Sequence, residues 1–150
     1  MRSRPSHVIF DLDGTLADSS AGILGSFRAT LDSIGLPADE EMLRHLIGPP
    51  LGESFRFLGV EEERIDEVVE IYREFYAERG VHESQLYDGV ATTLAQLSQQ
   101  GVRLGVATAK RVDFARQMLT TLGVADLFDE IAGASADLRV TSKFDIMSIV

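Results

Sequence analysis

Apolar positions change their period twice along this 150-residue chain. Val8-Ile9-Phe10 is a short unbroken apolar run that leads into Asp11-Leu12-Asp13-Gly14-Thr15-Leu16, the pattern of a strand leaving a core through a polar turn. From Ala17 the spacing becomes helical. Ile23, Leu24, Phe27, Leu31 and Ile34 fall on one stripe, with Gly35 as a C-terminal stop. Leu43, Leu46 and Ile47 predict a shorter helix ended by Gly48-Pro49-Pro50, and Ile65, Val68, Val69, Tyr72, Phe75 and Tyr76 form a stripe inside an acidic helix. The pattern predicts an all-helical insert over 17–85.

An alternation of strands and helices resumes at Tyr87-Asp88-Gly89-Val90. A helix through Leu94 and Leu97 stops near Gly101, and Val102 to Thr108 reads as a second strand. A helix carrying Phe114, Ala115, Met118, Leu119 and Leu122 follows, then a short third strand from Asp129 to Ala134. Phe144, Ile146, Met147 and Val150 mark a last amphipathic segment opened by Lys143. Alternating strands and helices imply a parallel sheet with right-handed crossovers, so the fold class is α/β, with a core over 1–16 and 86–150 interrupted by the helical insert.

Bulk composition narrows the partners. The chain is 45% hydrophobic, enough to bury one sizeable core, and carries a net charge of -10, which repels nucleic-acid backbones and anionic membranes. An anionic substrate must therefore meet a local positive site. No apolar run reaches membrane-spanning length, and Met1 to His7 lacks the apolar segment of a signal peptide. The absence of Cys removes disulfides, thiolate zinc sites and cysteine nucleophiles, and agrees with a reducing, cytoplasmic compartment.

Candidate chemistry starts where the first strand ends. Residues alternate faces along a strand, so Asp11 and Asp13 are expected on one side with Leu12 pointing away. Two like charges that close repel unless a cation sits between them or one takes a proton, and Mg²⁺ suits the place because it binds through one or two carboxylates while keeping waters and phosphate oxygens. Gly14 lets the backbone turn sharply and present its amides, which with Thr15 makes a phosphate-sized pocket at a strand end. Thr108 is expected to end the second strand, with Ala109 and Lys110 following before a helix begins, so that a hydroxyl and several amides converge on an anion. Lys143 opposes the dipole of the helix it opens, so either an anion compensates it or it is solvated. His7, His45 and His82 show no ligand spacing, and Glu61-Glu62-Glu63 reads as the charged start of a helix.

The run Asp11-Leu12-Asp13-Gly14-Thr15-Leu16-Ala17-Asp18-Ser19 resembles the first motif of the haloacid dehalogenase superfamily, in its phosphoglycolate-phosphatase-like branch. The resemblance implies a Rossmann-like core with a helical cap inserted after the first strand. It also implies a Mg²⁺-dependent phosphatase acting on a small phosphorylated metabolite, with phosphoglycolate-like acids and nucleoside monophosphates the substrates to try first. The implied catalytic set is Asp11 as nucleophile, forming an aspartyl-phosphate, Asp13 as acid and base, Thr108 as the second-motif hydroxyl, and Lys143 pairing with the nucleophile and the phosphoryl group, with Arg139 the second candidate for that pairing. Asp11 and Asp13 would also hold the metal, and Gly14, Thr15, Ala109 and Lys110 would contact substrate. Ala109 and Arg111 depart from the Asn or Ser and the Lys-Pro that many members carry there.

The superfamily's fourth motif, an acidic pair after another core strand, has no counterpart before Ser148-Ile149-Val150, and only Asp145 lies beyond Lys143. On the resemblance, the C-terminal part of the core is missing, the first strand is left as an exposed edge, and the chain is part of a longer protein or a remnant with weak metal affinity. A β-phosphoglucomutase-like phosphomutase is the alternative enzyme. A non-catalytic chain that keeps the fold for binding or assembly is the alternative of another class.

Overall fold

The computed structural model describes residues 5–37, 39–135 and 143–149, with Lys143 and Phe144 described by their backbone alone. In chain order the strands are β1 (His7–Phe10), β2 (Ala17–Asp18), β3 (Gln85–Leu86), β4 (Arg103–Arg111) and β5 (Glu130–Ala134). The helices are α1 (Ser20–Ile34), α2 (Glu40–Arg44), α3 (Leu51–Phe57), α4 (Ile65–Glu78), α5 (Val90–Gln99), α6 (Val112–Thr121) and α7 (Lys143–Met147). They separate into two compact units, Met1–Asp18 with Ser84–Val150, and Ser19–Glu83. Among the described residues no helix is long and apolar enough to cross a membrane.

The first unit is an α/β layer structure. Its main sheet has the order β1-β4-β5 and is parallel throughout, with Phe10 opposite Val106 and Val106 opposite Ile131. The Leu104 to Ala107 stretch of β4 is buried continuously, as expected of a parallel strand flanked on both sides. Helices α6 and α7 both pack on β4 and β5, and Ile146 of α7 closes on Ala107 and Ala132. Strand β1 lies at the edge, where Ile9 is 41% exposed.

Asp129 fixes the register at which β5 enters. Its backbone N–H donates to the Leu104 carbonyl at 2.8 Å, and its carboxylate accepts from the Leu104 N–H at 2.8 Å and from Arg103 Nε at 3.3 Å. The Leu104 amide foremost, and the Arg103 guanidinium after it, hold this carboxyl below its ordinary range.

The second unit is helical. Helix α1 ends where Gly35 adopts φ 73°, a left-handed cap that lets Leu36 N–H reach the Leu31 carbonyl at 3.0 Å. Its buried face is Gly22, Ser26, Phe27, Thr30 and Leu31, with Ile23, Leu24 and Ile34 only half-buried, so the structure rotates the interface away from part of the apolar stripe. The reason is a backbone approach. A Cβ on Gly22 would lie 2.0 Å from the Gly80 carbonyl oxygen, and one on Gly80 would lie 2.6 Å from Ser26 Oγ. Only small side chains permit that distance. Phe27, Phe55, Tyr72 and Tyr76 fill the rest of this core, with ring centroids 4.7 to 6.1 Å apart between neighbours.

Two elements differ from the sequence expectation. Gly48-Pro49-Pro50 does more than stop a helix, since α2 already ends at Arg44 and Pro50 becomes the N-cap of α3, a position where its missing N–H costs nothing. The insert also does not stay helical to its expected limits, because Ala17 pairs with Leu86 and Asp18 with Gln85 in an antiparallel ribbon too short for periodicity to reveal.

Because Asp129 has a depressed pKa in the folded state, its stabilisation is present above the ordinary carboxyl value of 3.8 and is lost as pH falls through the folded value. Thermal unfolding at pH 6 and pH 3 is therefore expected to show a smaller acid-induced fall in midpoint for Asp129→Asn than for the parent chain. An equal fall in both would remove Asp129 from the acid response.

Candidate functional site

The loop that follows β1 is built around one carbonyl. The Leu12 oxygen accepts from the N–H groups of Thr15 at 3.2 Å, Leu16 at 2.9 Å and Ala17 at 3.2 Å, while Gly14 N–H donates to the Ala17 oxygen at 2.9 Å. Gly14 has φ 76°, which an L side chain resists, and the tight turn requires it. Leu12 is fully buried and anchors the loop, and Asp11 and Asp13 on either side of it are half-buried. Strand β1 itself ends at Phe10, so this turn and not strand alternation positions the two carboxylates. The turn also alters the expected role of its amides. Those of Gly14 and Thr15 bond inside the loop, so both residues contribute shape, and both are exposed.

The second segment comes from β4, and here the structure departs from the expected strand end at Thr108. Strand β4 continues to Arg111, but its pairing with β5 slips: Ala107 faces Ala132 and Arg111 faces Ala134, so Thr108, Ala109 and Lys110 stand against Gly133 alone. Such a bulge re-aims side chains that strict alternation would have sent elsewhere. Thr108 is buried at 1% exposure, and its Oγ1 accepts from the Lys110 N–H at 3.1 Å, while Ala109 is exposed. The Lys110 side chain turns to the other loop, where Nζ lies 3.2 Å from Asp13 Oδ1. Its side chain is 10% exposed and that of Asp13 30%.

The structure thus brings the Asp11–Thr15 loop and the Thr108–Lys110 bulge together at the carboxyl ends of parallel strands, where α/β sheets hold their ligands. Arg111, next in the chain, pairs with Asp113 at 2.7 Å and lies 4.7 Å from the Phe114 ring centroid. Burial pushes the Asp113 carboxyl up, but the Arg111 guanidinium outweighs it and leaves the group below its ordinary value. Lys143 opens α7 as expected from its sequence context, with its side chain outside the described residues, and Arg139 lies outside them altogether.

Two features were not signalled by the sequence. One is the Lys110 to Asp13 link, since Lys110 read as a substrate contact. The other is Gly133: a Cβ there would fall 2.5 Å from the Lys110 carbonyl oxygen and 3.0 Å from Val112 Cα, so the bulge exists only because β5 carries glycine opposite it. The sole hint in the sequence was a glycine inside a strand pattern.

Asp11 and Asp13 are hard oxygen donors of the kind Mg²⁺ takes through one or two carboxylates, and this donor chemistry fits that ion. Among the described residues no three His, Cys, Asp or Glu side chains gather as a larger ligand group.

Comparison with known proteins bears on what such a site does. The family model described as haloacid dehalogenase-like hydrolase matches residues 8–140. The tyrosine-protein kinase of Mycobacterium tuberculosis is 44% identical over 145 residues, covering 96% of this chain and 50% of that protein. The 5'-nucleotidase of Pseudomonas aeruginosa is 36% identical over 146 residues, covering 96% of this chain and 66% of that protein. A solved haloacid dehalogenase-like family hydrolase from Streptococcus pneumoniae superposes with a TM-score of 0.87 at 35% identity, over 97% of this chain and 68% of that one. The chain spans about half the length of the mycobacterial relative.

Gly133→Ala is expected to force the bulge and β5 apart, lowering the unfolding free energy from urea titration by about 1–3 kcal/mol, the usual range for overpacking. The same substitution at Gly14 meets open space and tests backbone conformation instead. A Gly133→Ala chain as stable as the parent would show that the bulge relaxes freely.

Proposed function

Because this chain belongs to the haloacid dehalogenase-like hydrolases, matched over residues 8–140, we propose that it hydrolyses a small phosphomonoester through an aspartyl-phosphate intermediate. The observation that carries this reading is the meeting of the Asp11–Thr15 loop with the Thr108–Lys110 bulge, joined by the ion pair from Lys110 to Asp13. Phosphoryl transfer needs an in-line nucleophile, charge neutralisation around the phosphoryl oxygens and a proton for the leaving oxygen. This pair of segments offers side chains for each.

In the proposed sequence a carboxylate oxygen of Asp11 attacks phosphorus as the ester P–O bond breaks, and the departing oxygen takes its proton from Asp13. Water then attacks the phosphorus of the acyl phosphate, gives a proton to Asp13 and releases inorganic phosphate, restoring Asp11. Leu12 N–H donates to Asp11 Oδ1 at 2.9 Å, which fixes one oxygen of the nucleophile and leaves its orientation to the loop. Thr108 and Lys110 hold phosphoryl oxygens, and Lys143 is assigned the balancing charge at the nucleophile. Asp11 and Asp13 would hold Mg²⁺, which when bound supplies further neutralisation of phosphoryl charge. The relative named a 5'-nucleotidase supports a nucleoside monophosphate, and a relative named phosphoglycolate phosphatase, 35% identical over 133 residues, supports a phosphoglycolate-like acid, as the first substrates to assay.

A second reading has its own support, because the relative with 44% identity is named a tyrosine-protein kinase. In that reading the phosphoryl group passes to a tyrosine hydroxyl in place of water. Phosphate release and tyrosine-peptide phosphorylation, measured side by side in Mg²⁺ buffer, separate the acceptors. Asp11→Asn is expected to lower phosphate release by about a thousandfold or more, with the fold retained by circular dichroism. Turnover within tenfold of the parent would remove Asp11 from the nucleophile's role.

A further inference from the structure

We propose that Arg111 is a specificity residue that holds a carboxylate on the leaving group of the phosphate ester, so that the site selects phosphorylated acids over esters of neutral alcohols. The inference rests on the phosphoryl-transfer reading above and decides between the two kinds of substrate named there. It begins with where the cations of the α/β unit stand. Among the described residues, Arg103 opens β4 and pairs with Asp129, and Arg116 pairs with Glu130, the first residue of β5, so both lie toward the amino ends of the strands. Lys110 and Arg111 stand at the carboxyl end of β4, where Lys110 meets the Asp11–Thr15 loop. With Lys110 assigned to the phosphoryl oxygens, Arg111 is left for any further negative charge on the ester. Such a charge needs a cation of its own, because the carboxylates of Asp11 and Asp13 repel it.

The guanidinium is already oriented. Its Nε donates to Asp113 Oδ1 at 3.1 Å and its Nη2 to Asp113 Oδ2 at 2.7 Å, while its central carbon lies 4.7 Å from the Phe114 ring centroid. The side chain is 24% exposed, so it is held without being closed off. Asp113 takes the Nε edge of the fork, and the N–H groups of Nη1 remain for a ligand. An arginine fixed on two sides loses little side-chain freedom when a ligand arrives, whereas a solvated one gives up much of its gain to ordering. A neutral leaving group accepts only an ordinary hydrogen bond from Nη1. A carboxylate accepts a charge-assisted one, about twice as strong. One carboxylate also suits the place better than a second phosphate dianion, because Asp113 already neutralises part of the guanidinium charge.

The test compares phosphoglycolate with ethyl phosphate, which keeps the two-carbon chain without the carboxylate, in the parent, Arg111→Met and Arg111→Lys. Two quantities are measured on the full chain in Mg²⁺ buffer: phosphate release, and calorimetric binding in an Asp11→Asn background where turnover is blocked. The parent is expected to favour phosphoglycolate, and Arg111→Met to cut that preference about tenfold in both measurements. In phosphate release the loss falls on KM more than on kcat, because the carboxylate lies away from the bond that breaks. Arg111→Lys, which keeps the charge without the fork, is expected to retain part of the preference. Should the methionine variant lose its circular-dichroism signal, Arg111→Gln reads the same charge removal. A preference that survives in Arg111→Met would overturn the proposal, as would a parent that makes no distinction between the two esters. Binding keeps the two readings apart. A parent that binds phosphoglycolate selectively through Arg111 yet releases no phosphate rejects hydrolysis alone, whereas an active parent whose preference ignores Arg111 rejects the specificity role alone.

Discussion

The ion pair between Lys110 and Asp13 is the contact on which the candidate site depends. It joins a turn after the edge strand to a bulge in the neighbouring strand, and both partners are largely withdrawn from water. Neither side chain reaches the other by strand geometry alone. Asp13 lies beyond the end of β1, and Lys110 lies in the stretch where β4 loses register with β5. The pair thus reports that two irregular segments have been built to meet, and local irregularity at the carboxyl end of a parallel sheet is where α/β proteins place chemistry.

That irregularity explains which parts of the molecule were legible from sequence. The apolar run into Asp11 and Asp13 announces a strand and a polar turn, and the parallel order follows from alternating strands and helices, because both signals are local. The stripe from Ile65 to Tyr76 likewise became α4. The bulge was invisible because it depends on what β5 carries opposite it, and no window along β4 contains Gly133. Thr108 consequently read as a strand end, although the strand continues to Arg111. The face of α1 was misjudged for the same kind of reason: a contact between Gly22 and Gly80, distant in sequence, outweighed the apolar pattern of the helix itself.

The helical unit shows the opposite balance, with packing that its own residues explain. Four aromatic rings at close centroid distances form a core to which α1, α3 and α4 all contribute, and the glycine pair sets how near the backbones come. Its short elements survive on capping. The Asp39 carboxylate accepts from Glu41 N–H at 2.8 Å and Met42 N–H at 3.2 Å, which starts a five-residue helix that propensity could not sustain. Pro50 then starts the next.

Net charge constrains the site from outside. A chain with net charge -10 disfavours anionic ligands at long range, so an anion must be attracted by groups close to it. The described cations nearest the two loops are already engaged with carboxylates, Lys110 with Asp13 and Arg111 with Asp113. A phosphate ester arriving alone would have to compete with those carboxylates for the same ammonium and guanidinium groups.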